Sequence, residues 1–312
     1  MSAPYRPDLR VGLDIGGSKV LAVATTAAGE PLAQARLRTV PGPDGVVDSA
    51  ADALAALADR LGVAVADLGP VGVGVPGLVD PEQGVLVHAV NLGVGGDGLP
   101  LAARLGERCG LPVRVENDVN AAAFGAATCL GLLDVDLAYL SVGTGLAAGL
   151  VLHGRLRRGA RSAAGEIGHV PVDPAGPECA CGQRGCLETV ASGAAIAAAW
   201  PVEAGNAAHA LLRAAGDGDP DAVAVAGRIA DHLAAAVRLL VLTVDVDTVV
   251  LGGGVADVGE PLLVAVRAAL VRQAGRASFL AALHLDERVA LVGDDRPVAA
   301  IGAALLAQAD PG

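Results

Sequence analysis

"LRVGLDIGGSKVLAVATT", residues 9–26, reads as two apolar strands joined by a Gly-Gly turn. The pattern returns at 137–154 as "LAYLSVGTGLAAGLVLHG", again strand, glycine turn, strand. Each copy is followed by alternating helix and strand signals. After the first come an alternating strand at 31–40 and the helical spacing of "VVDSAADALAALADRLG", which ends at Gly62 as a C-cap. Short strands at 71–77 and 85–90, the helix "LPLAARLGERCG" with Pro100 at its start, and "LPVRVEND" running into "VNAAAFGAATCLG" complete the set. After the second come a cysteine-rich segment, helices near 191–200 and 219–243, and the strand 247–254 ending in three glycines. The helix "PLLVAVRAALVRQ", the strand "RVALVG" and the helix "PVAAIGAALLAQA" close the chain. The repeat predicts two α/β domains on related plans, with its midpoint near 117–120.

The 312 residues are 53% hydrophobic, enough for a large core in one big domain or two ordinary ones. Aromatics make up only 2% and there are 43 glycines, about twice the usual share of roughly 7%, so packing rests on small aliphatics. A net charge of −12 argues against a nucleic-acid partner, which needs a basic patch. It leaves room for an anionic small ligand held by backbone amides. No signal-peptide core or membrane-length apolar run is present; the longest candidate, 233–244, is short and carries Arg238. The odd count of five cysteines, without a secretory signal, favours metal or free thiols over disulfides. These features predict a soluble cytoplasmic protein.

G-x-G-x-x-G/A occurs at Gly72/Gly74/Gly77, Gly93/Gly95/Gly98 and Gly143/Gly145/Ala148. Three matches in one glycine-rich chain carry little weight for a dinucleotide fold. The turn "DIGGSK" (14–19) is not a P-loop. It still offers a strand-end carboxylate, Asp14, for a hydrated Mg²⁺, and N–H groups at Gly16 and Gly17 with Ser18 and Lys19 as donors. An ordinary hairpin turn is the alternative. "VGTG" (142–145) and "LGGGV" (251–255) are similar turns, and three at strand ends suit a nucleotide lying across a cleft. In "ENDVN" (116–120), Asn117 and Asp118 are either plain helix caps or a hydroxyl ligand and a general base.

Cys179, Cys181 and Cys186 form C-x-C-x4-C, with His169 ten residues upstream of the first. One His and three Cys make a closed tetrahedral set for structural zinc; free thiols or a disulfide are the alternatives. Glu166 and Glu188 flank the segment as acceptors suited to the hydroxyls of a polyhydroxylated ligand.

Together "DIGGSK", "ENDVNAAAFG", "VGTGLAAGLVLHGRLRRGA", "AAGEIGH", "CACGQRGCLETVASG" and "LGGGV" resemble the ROK family (repressor, open reading frame, kinase), from about residue 10 to 308. The chain looks most like the kinase members, such as bacterial glucokinases. ROK repressors carry an N-terminal DNA-binding domain, for which Asp14 comes too early here. The resemblance implies a two-domain actin-like ATPase (sugar kinase/Hsp70/actin) fold closing over its substrates. The domains would be 1–117 with about 297–312, small, and 118–296, large, with a zinc loop at 169–186. It implies ATP-dependent phosphorylation of a hexose 6-hydroxyl, with Mg²⁺ and a structural Zn²⁺. Asp118 would be the base. Asn91, Asn117, Glu166, His169 and Glu188 would bind sugar hydroxyls, His169 serving zinc as well. Asp14, Gly16, Gly17, Ser18 and Lys19 would form the first phosphate turn, Gly143, Thr144 and Gly145 the second, with Gly252, Gly253 and Gly254 near the adenosine. A homodimer is implied too.

Some positions depart from the family pattern. Ser18 stands where Thr is usual, Ala126 where Glu is common, and Ala147, Ala148 and Ser162 where glycines are frequent. Val94 lies where glucokinases carry Trp, which weakens the case for glucose specifically. An N-acetylhexosamine (N-acetylglucosamine or N-acetylmannosamine) is the alternative substrate, polyphosphate the alternative donor, and a non-catalytic sugar-sensing regulator the alternative class.

Overall fold

The computed structural model describes residues 9–275, 277–293 and 296–308, so the parts of the expected domains and closing helix that fall on 1–8 and 309–312 lie outside the described residues. The chain divides into two units. The first takes Met1–Leu133, Arg155–Ala163 and Pro297–Gly312; the second takes Asp134–Gly154 and Ala164–Arg296.

In the first unit β1 (Arg10–Ile15), β2 (Lys19–Thr25), β3 (Pro31–Arg38), β4 (Val71–Val75) and β7 (Val113–Asn117) form one sheet, ordered β3-β2-β1-β4-β7. A separate hairpin, β5 (Leu78–Asp80) and β6 (Val85–His88), lies between β4 and β7 in the chain. β1 runs antiparallel to β2 and parallel to β4, and β4 parallel to β7. The two-residue period of a strand sorts its side chains: Val11, Leu13 and Ile15 join one core cluster with residues of α1 (Pro43–Leu61). On β2, Val20, Ala22 and Ala24 join the same cluster, while Leu21 and Val23 pack with Ala300 on the opposite face. Burial on both faces is why these strands read as unbroken apolar runs. α1 starts with Pro43 in its first turn and stops at Gly62, whose φ of 70° lets its N–H reach the carbonyls of Ala58 and Asp59. α2 (Leu101–Cys109) precedes β7, and α3 (Asp118–Leu130) follows it directly.

The second unit repeats the plan. β8 (Leu137–Val142), β9 (Leu146–Leu152), β10 (Arg155–Leu156), β11 (Thr248–Gly252) and β12 (Val289–Leu291) are ordered β10-β9-β8-β11-β12. β8 is antiparallel to β9 and parallel to β11, and β11 is parallel to β12, as in the first sheet. The helices are α4 (Leu187–Ala191), α5 (Gly193–Ala199), α6 (Ala207–Gly216), α7 (Pro220–Val244), α8 (Glu260–Ala274) and α9 (Ser278–Ala281). α7 opens on Asp219, whose carboxylate accepts from the N–H groups of Asp221 and Ala222. The sequence reading has α5 and α7 but no α4, α6 or α9; α4 and α9 span only one turn or so, too short to show a helical period.

The boundary expected at 117/118 falls instead after Leu133. The cause is α10 (Val298–Leu306), which returns to the first unit and packs on α3, β1 and β4. Gly125 of α3 faces Gly302 of α10, and a Cβ on Gly302 would strike the backbone of Ala121 and Gly125. Only glycines let the two helices come this close, so α3 stays with the first sheet. The segment 155–163 joins it there too, and the two units are of nearly equal size. Among the described residues no helix is long and apolar enough to cross a membrane.

Candidate active site

The first glycine turn is set by the β1–β2 register. Ile15 pairs with Val20, leaving Gly16, Gly17, Ser18 and Lys19 as the loop. The Gly16 N–H donates to the Lys19 carbonyl at 2.8 Å, and the Thr39 hydroxyl donates to the Gly16 carbonyl at 2.6 Å. Asp14 sits one residue before the strand end. Burial pushes its carboxyl up from the ordinary range and Lys19 pulls it back down. A desolvated carboxylate beside an exposed loop is a place where a cation is stabilising. Asn91 backs this turn: its carbonyl lies 3.3 Å from where a Cβ on Gly17 would stand.

At the end of β7 the capping and chemical readings of "END" separate. Asn117 is the cap: its Oδ1 accepts from Val119 N at 2.9 Å and Asn120 N at 3.1 Å, and its Nδ2 donates to the Gly77 carbonyl at 3.1 Å. Asp118 falls in the first turn of α3, at the positive end of the helix dipole. The Val119 N–H also donates to its Oδ1, at 2.9 Å. Glu116, 6% exposed, lies behind both. Its Oε1 accepts from Asn117 N and Asn120 Nδ2, each at 3.0 Å, and its Oε2 accepts from Arg158 Nε at 2.7 Å.

In the second unit Val142 pairs with Leu146, leaving Gly143, Thr144 and Gly145. This turn leans on the α4–α5 junction: Gly193 N donates to the Gly143 carbonyl at 2.7 Å. Glu188, on α4, accepts from the Leu146 N–H at 3.1 Å through Oε2. A Cβ on Gly145 would collide with that same oxygen. The third turn is less uniform than expected. Gly252 ends β11 against the Tyr139 ring, Gly253 turns the chain at φ 81°, and Gly254 faces a cavity of about 690 Å³. Gly143, Thr144, Ala194 and Asn206 also line that cavity, and Asn206 donates to the Gly254 carbonyl at 3.2 Å.

His169, Cys179, Cys181 and Cys186 converge, with ligand atoms all within 4.8 Å of one another. Cys181 Sγ and Cys186 Sγ are 3.7 Å apart, and Cys179 Sγ is 3.6 Å from His169 Nδ1. A disulfide needs about 2.05 Å. A tetrahedron with metal–sulfur bonds of about 2.3 Å has edges of roughly 3.8 Å, so these separations fit zinc. Hydrogen bonds from the side chain and backbone of Gln183 lower Cys181 to about 6, while burial and the neighbouring sulfurs push Cys186 up to about 12. Ionising both thiols in this space calls for a cation. The other imidazole nitrogen of His169 faces Glu166, Nε2 to Oε2 at 3.9 Å.

The structure therefore gathers the expected residues into two sets. Asp14, Gly16–Lys19, Asn91, Asn117 and Asp118 belong to the first unit, and the remaining candidates to the second. The sequence reading missed the pairing of Glu116 with Arg158, 42 positions apart with no spacing signal to join them, and it missed Asn206, on the unread start of α6.

Two units of one sheet topology, each with a glycine turn between its first two strands, define the actin-like ATPase fold of the sugar kinases. The chain belongs to the ROK family, whose profile it matches over residues 10–310. It is 33% identical to a glucokinase of Halalkalibacterium halodurans, over 92% of each chain. It is 35% identical to an N-acetylmannosamine kinase of Escherichia coli O157:H7, over 96% of this chain and 98% of that one. Among solved structures, a ROK family glucokinase from Streptomyces griseus, in complex with glucose and AMPPNP, aligns with TM-score 0.77 at 32% identity over 96% of this chain and 98% of the other.

Proposed function

We propose that the protein is an ATP-dependent hexose kinase making a sugar 6-phosphate, with glucose as its substrate. The observation that carries the reading is the division of labour at the head of α3. Asn117 caps the helix through Oδ1, and Asp118 stands in the first turn as the carboxylate that acts as the base. The Asp118 carboxylate takes the proton of the 6-hydroxyl as that oxygen bonds to the γ-phosphorus. The bond from γ-phosphorus to the bridging oxygen breaks, and ADP leaves with the electron pair. Catalysis of this kind is mostly positioning and charge neutralisation.

The remaining roles follow. Asn91, Glu166, His169 and Glu188 hold sugar hydroxyls, and Asn117, whose Oδ1 is taken by the cap, adds the second hydrogen of its Nδ2. The turns at Gly16–Lys19 and Gly143–Gly145 offer N–H groups to the phosphates, and the cavity beside Gly254 takes the adenosine, its volume of about 690 Å³ lying in the ordinary range for such ligands. Asp14 would hold Mg²⁺, which neutralises charge on the phosphates when bound. His169, Cys179, Cys181 and Cys186 would hold Zn²⁺, which fixes the loop between Glu166 and Glu188. With Nδ1 of His169 turned to the metal, Nε2 carries the proton and can donate to a hydroxyl shared with Glu166. A cytoplasmic homodimer accompanies this reading through the family resemblance.

The near-equal identity to an N-acetylmannosamine kinase, with Val94 in place of a glucokinase Trp, favours N-acetylhexosamines as the second reading. A screen of sugar-dependent ADP release over glucose, mannose, fructose, allose and the N-acetylhexosamines decides it. Glucose should give the highest kcat/KM. Highest turnover of an N-acetylhexosamine would install the second reading, and no sugar-dependent release would remove both.

A further inference from the structure

Glu116 is the buried carboxylate nearest in sequence to the base, and all its oxygens are engaged. One accepts from the backbone of Asn117 and the side chain of Asn120, and the other from Arg158 Nε. Arg158 comes from the segment 155–163, which opens with β10 and belongs to the first unit. The head of α3 is thus gripped from β7 by a carboxylate that is itself fixed by a guanidinium 42 positions away. Around the pair, the segment 155–163 also brings Arg155, Arg157 and Arg161, β7 brings Arg114, and β5, packed on β7, brings Asp80; β4, α10 and the rest of α3 carry no charged side chain.

We infer that Glu116 and Arg158 are positioning residues for Asp118: the pair fixes the first turn of α3 and, as a neutral unit, sets the field in which the base ionises. Neither touches the reacting atoms. Their charges act on Asp118 with opposite sign, which separates this role from simple structural support. Removing the cation leaves the Glu116 carboxylate uncompensated two residues before Asp118, and a like charge disfavours ionisation of the base. Removing the anion leaves Arg158 uncompensated, and an opposite charge favours ionisation.

The inference rests on Asp118 being the base, and the test keeps the two apart. It is the pH profile of kcat/KM for the sugar, which reports the base in the free enzyme, for wild type, Arg158→Ala and Glu116→Gln. The acid limb should move to higher pH in Arg158→Ala and to lower pH in Glu116→Gln, each by about half a unit or more. kcat should fall roughly tenfold in both, as expected when a base is displaced, with the KM for ATP little changed and Arg158→Lys restoring part of the loss. Limbs that move together, or stay in place, overturn the positioning role. Because either variant could be destabilised, the same titration is followed by the carboxyl carbon resonance of Asp118 in whatever fraction remains folded, and equal-sign shifts there are equally fatal. Wild-type turnover in Asp118→Asn would instead remove the assignment of the base, leaving the pair without that function.

Discussion

The two glycine turns are built on the same strand order and carry different chemistry. In the first, Asp14 stands one residue before the end of β1; in the second, the corresponding place on β8 is Ser141. The first loop has Lys19 beyond what the second has, because Ile15 pairs with Val20 but Val142 with Leu146. The first turn is held by Thr39 and backed by Asn91 of its own unit. The second rests on the start of α5 and on the Glu188 carboxylate. A duplicated hairpin thus supplies the backbone twice. One copy carries charge, in Asp14 and Lys19, and the other is tied to α4 and α5. Topology places the loops, and a few side chains per loop decide what each does.

The comparison can be broken in order of effect. Asp14→Asn should lower kcat by roughly a hundredfold or more, as loss of a preorganised electrostatic group does, while Ser141→Ala stays near wild type. Steady-state assays at saturating Mg²⁺ check this, and equal effects would erase the distinction between the turns. Next, protein purified without added metal should hold roughly one zinc per chain, and Cys179→Ser should release it. Melting should then fall by several degrees, as a lost structural metal implies. Metal analysis showing no zinc in the wild type removes the site. The smallest effect is the most specific. Gly145→Ala pushes on Glu188 Oε2, so a substitution in a phosphate turn should raise the KM for sugar, by roughly fivefold for one weakened charge-assisted hydrogen bond. Gly16→Ala, with no such carboxylate in reach, should act on the KM for ATP alone.

Much of this was legible in the chain. The strand–turn–strand repeat, the capping glycine at 62 and the C-x-C-x4-C spacing are local patterns, and local patterns survive into the fold. The boundary between units was not local. It depends on α10 docking against α3 through Gly125 and Gly302, a contact between segments far apart in sequence. The pairing of Glu116 with Arg158 and the hold of Asn206 on Gly254 are hidden for the same reason. The two readings of "END" could not be separated by spacing either, since Asn and Asp both cap well. Hydrogen-bond geometry gives the cap to Asn117.

The central claim is that Asp118 is the base of a hexose kinase, and kcat for Asp118→Asn with glucose and ATP tests it most directly. The substitution keeps the shape of the side chain and removes only its ability to take a proton. The account predicts a fall of roughly 10² to 10⁴. Turnover near that of the wild type would contradict it.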